Sequence, residues 1–183
     1  TDHDLSHGIY DRIGVRNAPA LMNLAWHKTF MWDGAVNHLD VQALAPISHP
    51  NEMDESIQEV VRKLKNKSLY ADLFYRAFYD KDITGEKVLK ALAQFQLTLV
   101  SANAKYDKVK QQQEVFTPQE EKGYQLFLQK CNVCHTEPLF SNYEFKNNGL
   151  PIDLTLNDVG RVKVSQQNKD SLQFKVPTLR NLS

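Results

Sequence analysis

The chain has 183 residues with 22 Lys and Arg against 22 Asp and Glu, so its formal net charge is zero, and 42% of its residues are hydrophobic. That balance gives no broad electrostatic ground for a nucleic-acid or anionic-membrane partner, and no run approaches the ~20 apolar residues of a membrane-spanning helix. The composition is that of a globular chain with apolar residues enough for one or two cores.

In chain order, residues 1–53 hold His3, His7, His27, His38 and His49, with Trp26, Trp32 and three of the seven prolines. Imidazoles, indoles and chain breakers so close together suggest a site built from loops, although each histidine taken singly reads as a surface or capping residue. Helical signals follow. Asp54 is placed to cap a helix with Ile57, Val60, Val61 and Leu64 on one face, the i, i+3, i+4, i+7 pattern of an amphipathic helix. Its basic end, Arg62 to Lys67, reads as a solvated helix C-terminus, where cations are favoured. Ser68 is placed to cap a second helix with Leu69, Leu73 and Ala77, and Thr84 a third, with Val88, Leu92, Phe95 and Leu99 as a stripe ending near Asn103.

Tyr106 to Phe116, with Gln111-Gln112-Gln113, reads as a connector and the best domain boundary, giving domains of 1–115 and 116–183. Thr117-Pro118-Gln119-Glu120 is a capping box with proline at the first helical position, so a helix is expected to run from there toward Cys131. Beyond it, Pro138, Asn147-Asn148-Gly149 and Pro151 break regular structure. Strand-like alternation is confined to Gly160 to Ser165, and the expected class is all-α. Residues 1–53 show no copy of residues 131–183.

Cys131-Asn132-Val133-Cys134-His135 carries the chemistry. Two thiols three residues apart followed at once by an imidazole suit a c-type haem, the thiols adding to its vinyl groups and the imidazole taking the iron. A disulfide or thioredoxin-like pair has no need of His135, and zinc wants a further ligand at a recognisable spacing. No Cys or His follows His135.

Around this motif lie five clusters that resemble the bacterial di-haem cytochrome c peroxidase family, whose relatives include the di-haem enzyme of methylamine utilisation. They are Arg16-Asn17-Ala18-Pro19-Ala20-Leu21, Met31-Trp32-Asp33-Gly34, and Gln42-Ala43 with Pro46 and Glu52-Met53. Asp158-Val159-Gly160-Arg161 and Phe174-Lys175-Val176-Pro177-Thr178-Leu179-Arg180-Asn181 complete the set. Two departures stand out. The family has two haem motifs where this chain has one, and Ala35 stands where the family has arginine after Trp-Asp-Gly. Met22, Met31 and Met53 are the only methionines, and none falls where the family's second haem finds its distal ligand.

The resemblance implies two cytochrome-c-like helical domains. Residues 1–115 would be most of an N-terminal peroxidatic domain and residues 116–183 a truncated C-terminal electron-transfer domain. The chain, which starts without an initiator Met, then reads as a piece of a larger exported protein, matured in the periplasm. Glu52 would be the proton-transfer carboxylate for hydrogen peroxide, Gln42 the amide that orients it, and Trp32 the indole between the two haems. His7 would cap the peroxidatic iron at rest and leave on activation, the adjacent Gly8 letting the loop swing. His135 would ligate the second haem iron, Arg161 and Arg180 would pair with haem propionates, and Asn17 would help bind calcium. Electrons would come from a small cytochrome or copper protein, and the family's frequent dimerisation makes a homodimer an expectation. Taken without the resemblance, Glu52 reads equally as an acid at a helix start, and Trp32 as packing.

The function expected is therefore reduction of hydrogen peroxide to water. Two alternatives stand beside it: a single-haem electron carrier with a helical docking domain, and a di-haem oxidase of another substrate.

Overall fold

The computed structural model describes residues 3–182. The chain divides into two units, one made of the residues up to Leu21 with Val36–Thr98, the other of Met22–Ala35 with everything from Leu99 onward. Both are helical, in keeping with the expected class.

The first unit opens with irregular chain and two short helices, α1 (Leu39–Gln42) and α2 (Leu44–Ser48), followed by α3 (Ile57–Lys65), α4 (Ser68–Phe78) and α5 (Gly85–Leu97). The cap of α3 is Ser56, whose hydroxyl accepts from the Glu59 N–H at 3.1 Å. Asp54, the expected cap, lies two residues early at φ +49° and instead takes the Arg12 guanidinium at 2.7 Å. Thr84 caps α5 as expected, accepting from the Lys87 N–H at 3.3 Å. The core gathers Phe74, Ile83 and Val88, with Ile57, Val60, Val61, Leu64 and Phe78 packed against them.

Helix α5 ends at Leu97 rather than near Asn103, because the Thr98 hydroxyl donates to the Phe95 carbonyl, a local bond that competes with continuing the helix. Its buried face is also rotated from the expected stripe. Val88, Ala93 and Gln96 are buried, whereas Leu92 and Phe95 are 37% and 59% exposed.

The second unit contains α6 (Lys105–Lys110), α7 (Pro118–Lys130), β1 (Phe145–Lys146), α8 (Val162–Ser165) and β2 (Phe174–Lys175). The strands pair antiparallel, with Phe145 opposite Lys175 and Lys146 opposite Phe174. Gly160 to Ser165, which alternates like a strand, instead turns at Gly160 with φ +68° and continues into α8. A Cβ on that glycine would sit 2.6 Å from the Gln173 carbonyl oxygen, so the turn depends on its absence. The capping box ahead of α7 is complete: Thr117 Oγ1 accepts from the Glu120 N–H at 3.3 Å, and Glu120 Oε2 accepts from the Thr117 N–H at 2.8 Å. Segment 106–116, read from sequence as a connector, includes most of α6 and belongs to this unit.

Candidate functional site

Helix α7 delivers Cys131 at its C-cap, where the Cys131 N–H bonds the Phe127 carbonyl at 2.8 Å. One tight turn follows, with the Cys134 and His135 N–H groups both donating to the Cys131 carbonyl, at 3.1 and 2.9 Å. Both thiols are free, Cys131 exposed and Cys134 half-buried. Nδ1 of His135 lies 3.2 Å from the Phe140 carbonyl oxygen and 3.2 Å from that of Pro177. Carbonyls only accept, so Nδ1 carries the proton and Nε2 keeps its lone pair, the arrangement that orients a metal-ligating imidazole. Among the described residues no group of three or more His, Cys, Asp or Glu side chains converges on a single ion. Two thiols on one turn beside an imidazole with Nε2 free to ligate fit a haem, which the thiols and the imidazole meet at different atoms.

The loop beyond the motif is tied to the segment leading out of β2. Ser141 Oγ donates to the Val176 carbonyl at 2.6 Å and Thr178 Oγ1 to that of Leu139 at 2.7 Å. Arg180 makes the strongest tie. Its guanidinium grips the Asp107 carboxylate with two bonds of 2.9 and 2.7 Å and reaches the Pro138 carbonyl through Nε and Nη2. Both partners are 8% exposed, and Arg180 holds the Asp107 carboxyl below its usual range. These bonds use four of its five N–H groups and leave one on Nη1. Arg180 also borders a cleft of about 270 Å³ with Tyr106, Phe127, Phe140, Leu179 and Asn181.

Trp32, half-buried, gives its carbonyl to the Lys175 N–H at 2.7 Å. The next turn is clamped by Arg161, whose Nη1 donates to the Asp33 carbonyl at 2.7 Å while its guanidinium lies 4.0 Å above the Phe145 ring. Gly34 there has φ +73°, and an added Cβ would lie 2.5 Å from Phe145.

In the first unit Gln42 is 7% exposed on α1 and accepts from Gln96 Nε2 at 3.0 Å. Glu52 lies on a turn fixed by its N–H to the His49 carbonyl at 3.0 Å. Its side chain is 39% exposed, with Oε1 3.9 Å from His49 Nδ1. The segment that follows His7 reaches the same turn: the Ile9 N–H donates to the Glu52 carbonyl at 2.7 Å. Gly8 is needed for that close approach, since a Cβ there would sit 2.1 Å from the Asn51 oxygen. In this arrangement Gly8 serves contact with the turn. The His7 imidazole, exposed, bonds the Asp11 carboxylate at 2.5 Å and lies against the His3 ring. Asn17 is exposed, and a calcium ion would find no cluster of acidic side chains around it among the described residues.

The profile of the di-haem cytochrome c peroxidase family matches residues 1–115. The chain belongs to that family. It is 37% identical over 173 residues to the methylamine utilization protein MauG of Methylorubrum extorquens, covering 91% of this chain and 48% of that protein. It is 33% identical over 186 residues to the cytochrome c peroxidase Ccp of Escherichia coli, covering 97% of this chain and 40% of that one. Two solved structures share the fold. A MauG-like protein associated with microbial copper homeostasis superposes with a TM-score of 0.85 at 22% identity, over 98% of this chain and 59% of that chain. The diheme peroxidase BthA of Burkholderia thailandensis gives 0.82 at 22% identity, over 97% and 55%. The chain thus spans about half the length of the relatives it matches. Membership in a di-haem family brings haem c with it, and Cys131, Cys134 and His135 fit one such group.

Three features escape the sequence signals above. Pro19-Ala20-Leu21-Met22-Asn23-Leu24 recurs as Pro177-Thr178-Leu179-Arg180-Asn181-Leu182, which corrects the expectation of no repeat. Asn23 and Asn181 both have φ +60° and both bond Ser101. The signal is Pro-x-Leu-x-Asn-Leu, visible on comparing 19–24 with 177–182. The second feature is Gln96, hidden by its place among apolar residues. The third is His27, whose ring lies 4.2 Å from that of Tyr143. His27 Nε2 and the Tyr143 hydroxyl are buried without hydrogen-bond partners. Burial, with Lys175 nearby, pushes the His27 pKa down to about 4.

Proposed function

We propose that the intact protein is an exported, periplasmic di-haem cytochrome c peroxidase that reduces hydrogen peroxide to water with electrons from a small cytochrome or copper protein. In this reading residues 1–115 are most of a peroxidatic cytochrome-c-like domain and residues 116–183 are part of an electron-transfer one. The observation that carries the reading is the match of residues 1–115 to the di-haem cytochrome c peroxidase family; the first unit also holds a buried, hydrogen-bonded Gln42 amide and a half-exposed Glu52 carboxylate on a fixed turn.

A bound haem would supply the redox-active iron. The chain would supply proton handling: Glu52 would take a proton from one peroxide oxygen and return it to the other. With two electrons and two protons, peroxide leaves as two waters. Gln42 holds the substrate by hydrogen bonding, and His7, next to the Glu52 turn, is the group that covers the site at rest. Cys131 and Cys134 hold the second haem and His135 its iron. Arg161 and the one free N–H of Arg180 are the partners for propionates, and Trp32 is the aromatic bridge for electrons. Asn17 is the candidate oxygen donor for calcium, and a homodimer is the assembly proposed.

Identity of 37% to a methylamine utilization protein favours a second reading, a di-haem enzyme that oxidises another substrate. Peroxide turnover of the haem-loaded, full-length protein with a reduced small cytochrome separates the two. Glu52→Gln is expected to lower turnover by about 10²–10⁴, the range for removing a general acid–base, at unchanged haem content. Undiminished turnover in that variant overturns the role assigned to Glu52.

A further inference from the structure

We infer that Gln96 is a positioning residue that fixes which end of the Gln42 amide faces peroxide, an inference resting on the role just proposed for Gln42. Gln96 sits on the buried face of α5 at 9% exposure, alongside Val88 and Ala93. A polar amide in an apolar stripe loses stability unless it is hydrogen-bonded. Its Nε2 donates to Gln42 Oε1 at 3.0 Å, joining α5 to α1. Its own Oε1 is buried with no partner, so the side chain is not placed to satisfy itself. Its one side-chain bond goes to Gln42.

The consequence is chemical. A primary amide presents an acceptor at one end and two donors at the other. With Oε1 taken by Gln96, Gln42 is left to offer N–H to whatever approaches. Once Glu52 has taken a proton, the peroxide oxygens carry lone pairs and negative charge, so a donor attracts them and a carbonyl oxygen repels them. Gln96 therefore selects the productive orientation of Gln42 without touching the substrate.

The test uses the full-length, haem-loaded protein and two readouts, peroxide turnover and the affinity for fluoride, a haem ligand that accepts hydrogen bonds. Gln96→Glu places an acceptor where a donor stood, draws Gln42 Nε2 toward it and turns Oε1 outward. Turnover and fluoride affinity are both expected to fall about tenfold, the scale of one lost hydrogen bond, while Gln96→Met gives a smaller loss in both. In a Gln42→Leu background Gln96→Glu is expected to add nothing, as residues acting through one another are not additive. Wild-type values in Gln96→Glu and Gln96→Met, with Gln42→Leu impaired, overturn the inference and spare the role of Gln42. Equal losses from Gln96→Glu with and without Gln42 also overturn it, since the effect would then be structural. Unchanged turnover and fluoride affinity in Gln42→Leu itself remove the reading on which the inference rests.

Discussion

Asp107 and Arg180 show how one buried pair governs the surroundings of a cofactor motif. The arginine ties α6 to the Pro138 loop, and that loop carries Phe140, whose carbonyl orients His135. Removing one partner leaves the other buried and uncompensated, so Asp107→Ala is expected to cost about 3–5 kcal/mol in denaturant unfolding. A second residue-scale prediction concerns acid. His27 has a folded pKa of about 4 against the ordinary 6.5 of a histidine. Between those pH values the unfolded chain binds a proton that the folded chain refuses, so stability falls as pH drops from 6.5 toward 4. Measured across that window, the melting temperature of the wild type is expected to fall relative to that of His27→Phe, since the wild type alone loses this contribution.

At the scale of elements, legibility depends on whether the signal is local. The capping box at Thr117 involves side chains three residues apart, and it appears in the structure as the sequence implies. Thr117→Ala is expected to cost about 1 kcal/mol in unfolding, the typical value for a lost N-cap. Glu120, the other half of the box, is held down to about 2 by Lys105 and the Thr117 N–H, so its half stays ionised well into acid. The caps expected at Asp54 and Ser68 lie a residue or two away: Ser56 takes the place of Asp54, and α4 starts after Lys67 with no side-chain cap, Ser68 being already helical. The buried face of α5 differs from the expected stripe for another reason. Periodicity identifies apolar positions but not the side on which α1 lies, and α1 meets Gln96 rather than Phe95. The strands, two residues each, are too short to display alternation at all.

For the whole molecule, the haem motif and the five clusters are legible because each is a short string whose residue types answer to one chemistry. The arrangement of units is not: Met22–Ala35 folds with the C-terminal part of the chain, a long-range pairing that composition does not announce. The bonds of Asn23 to Ser101 help hold it there. The proposed function requires the intact protein to carry two haems, one of them on Cys131 and Cys134. Mass spectrometry of the full-length gene product, matured where haem c is attached, tests it directly. Two covalent haems in the wild type and one in the Cys131→Ala, Cys134→Ala variant are predicted. A wild-type protein with a single haem, or a variant that still carries two, would contradict that proposal.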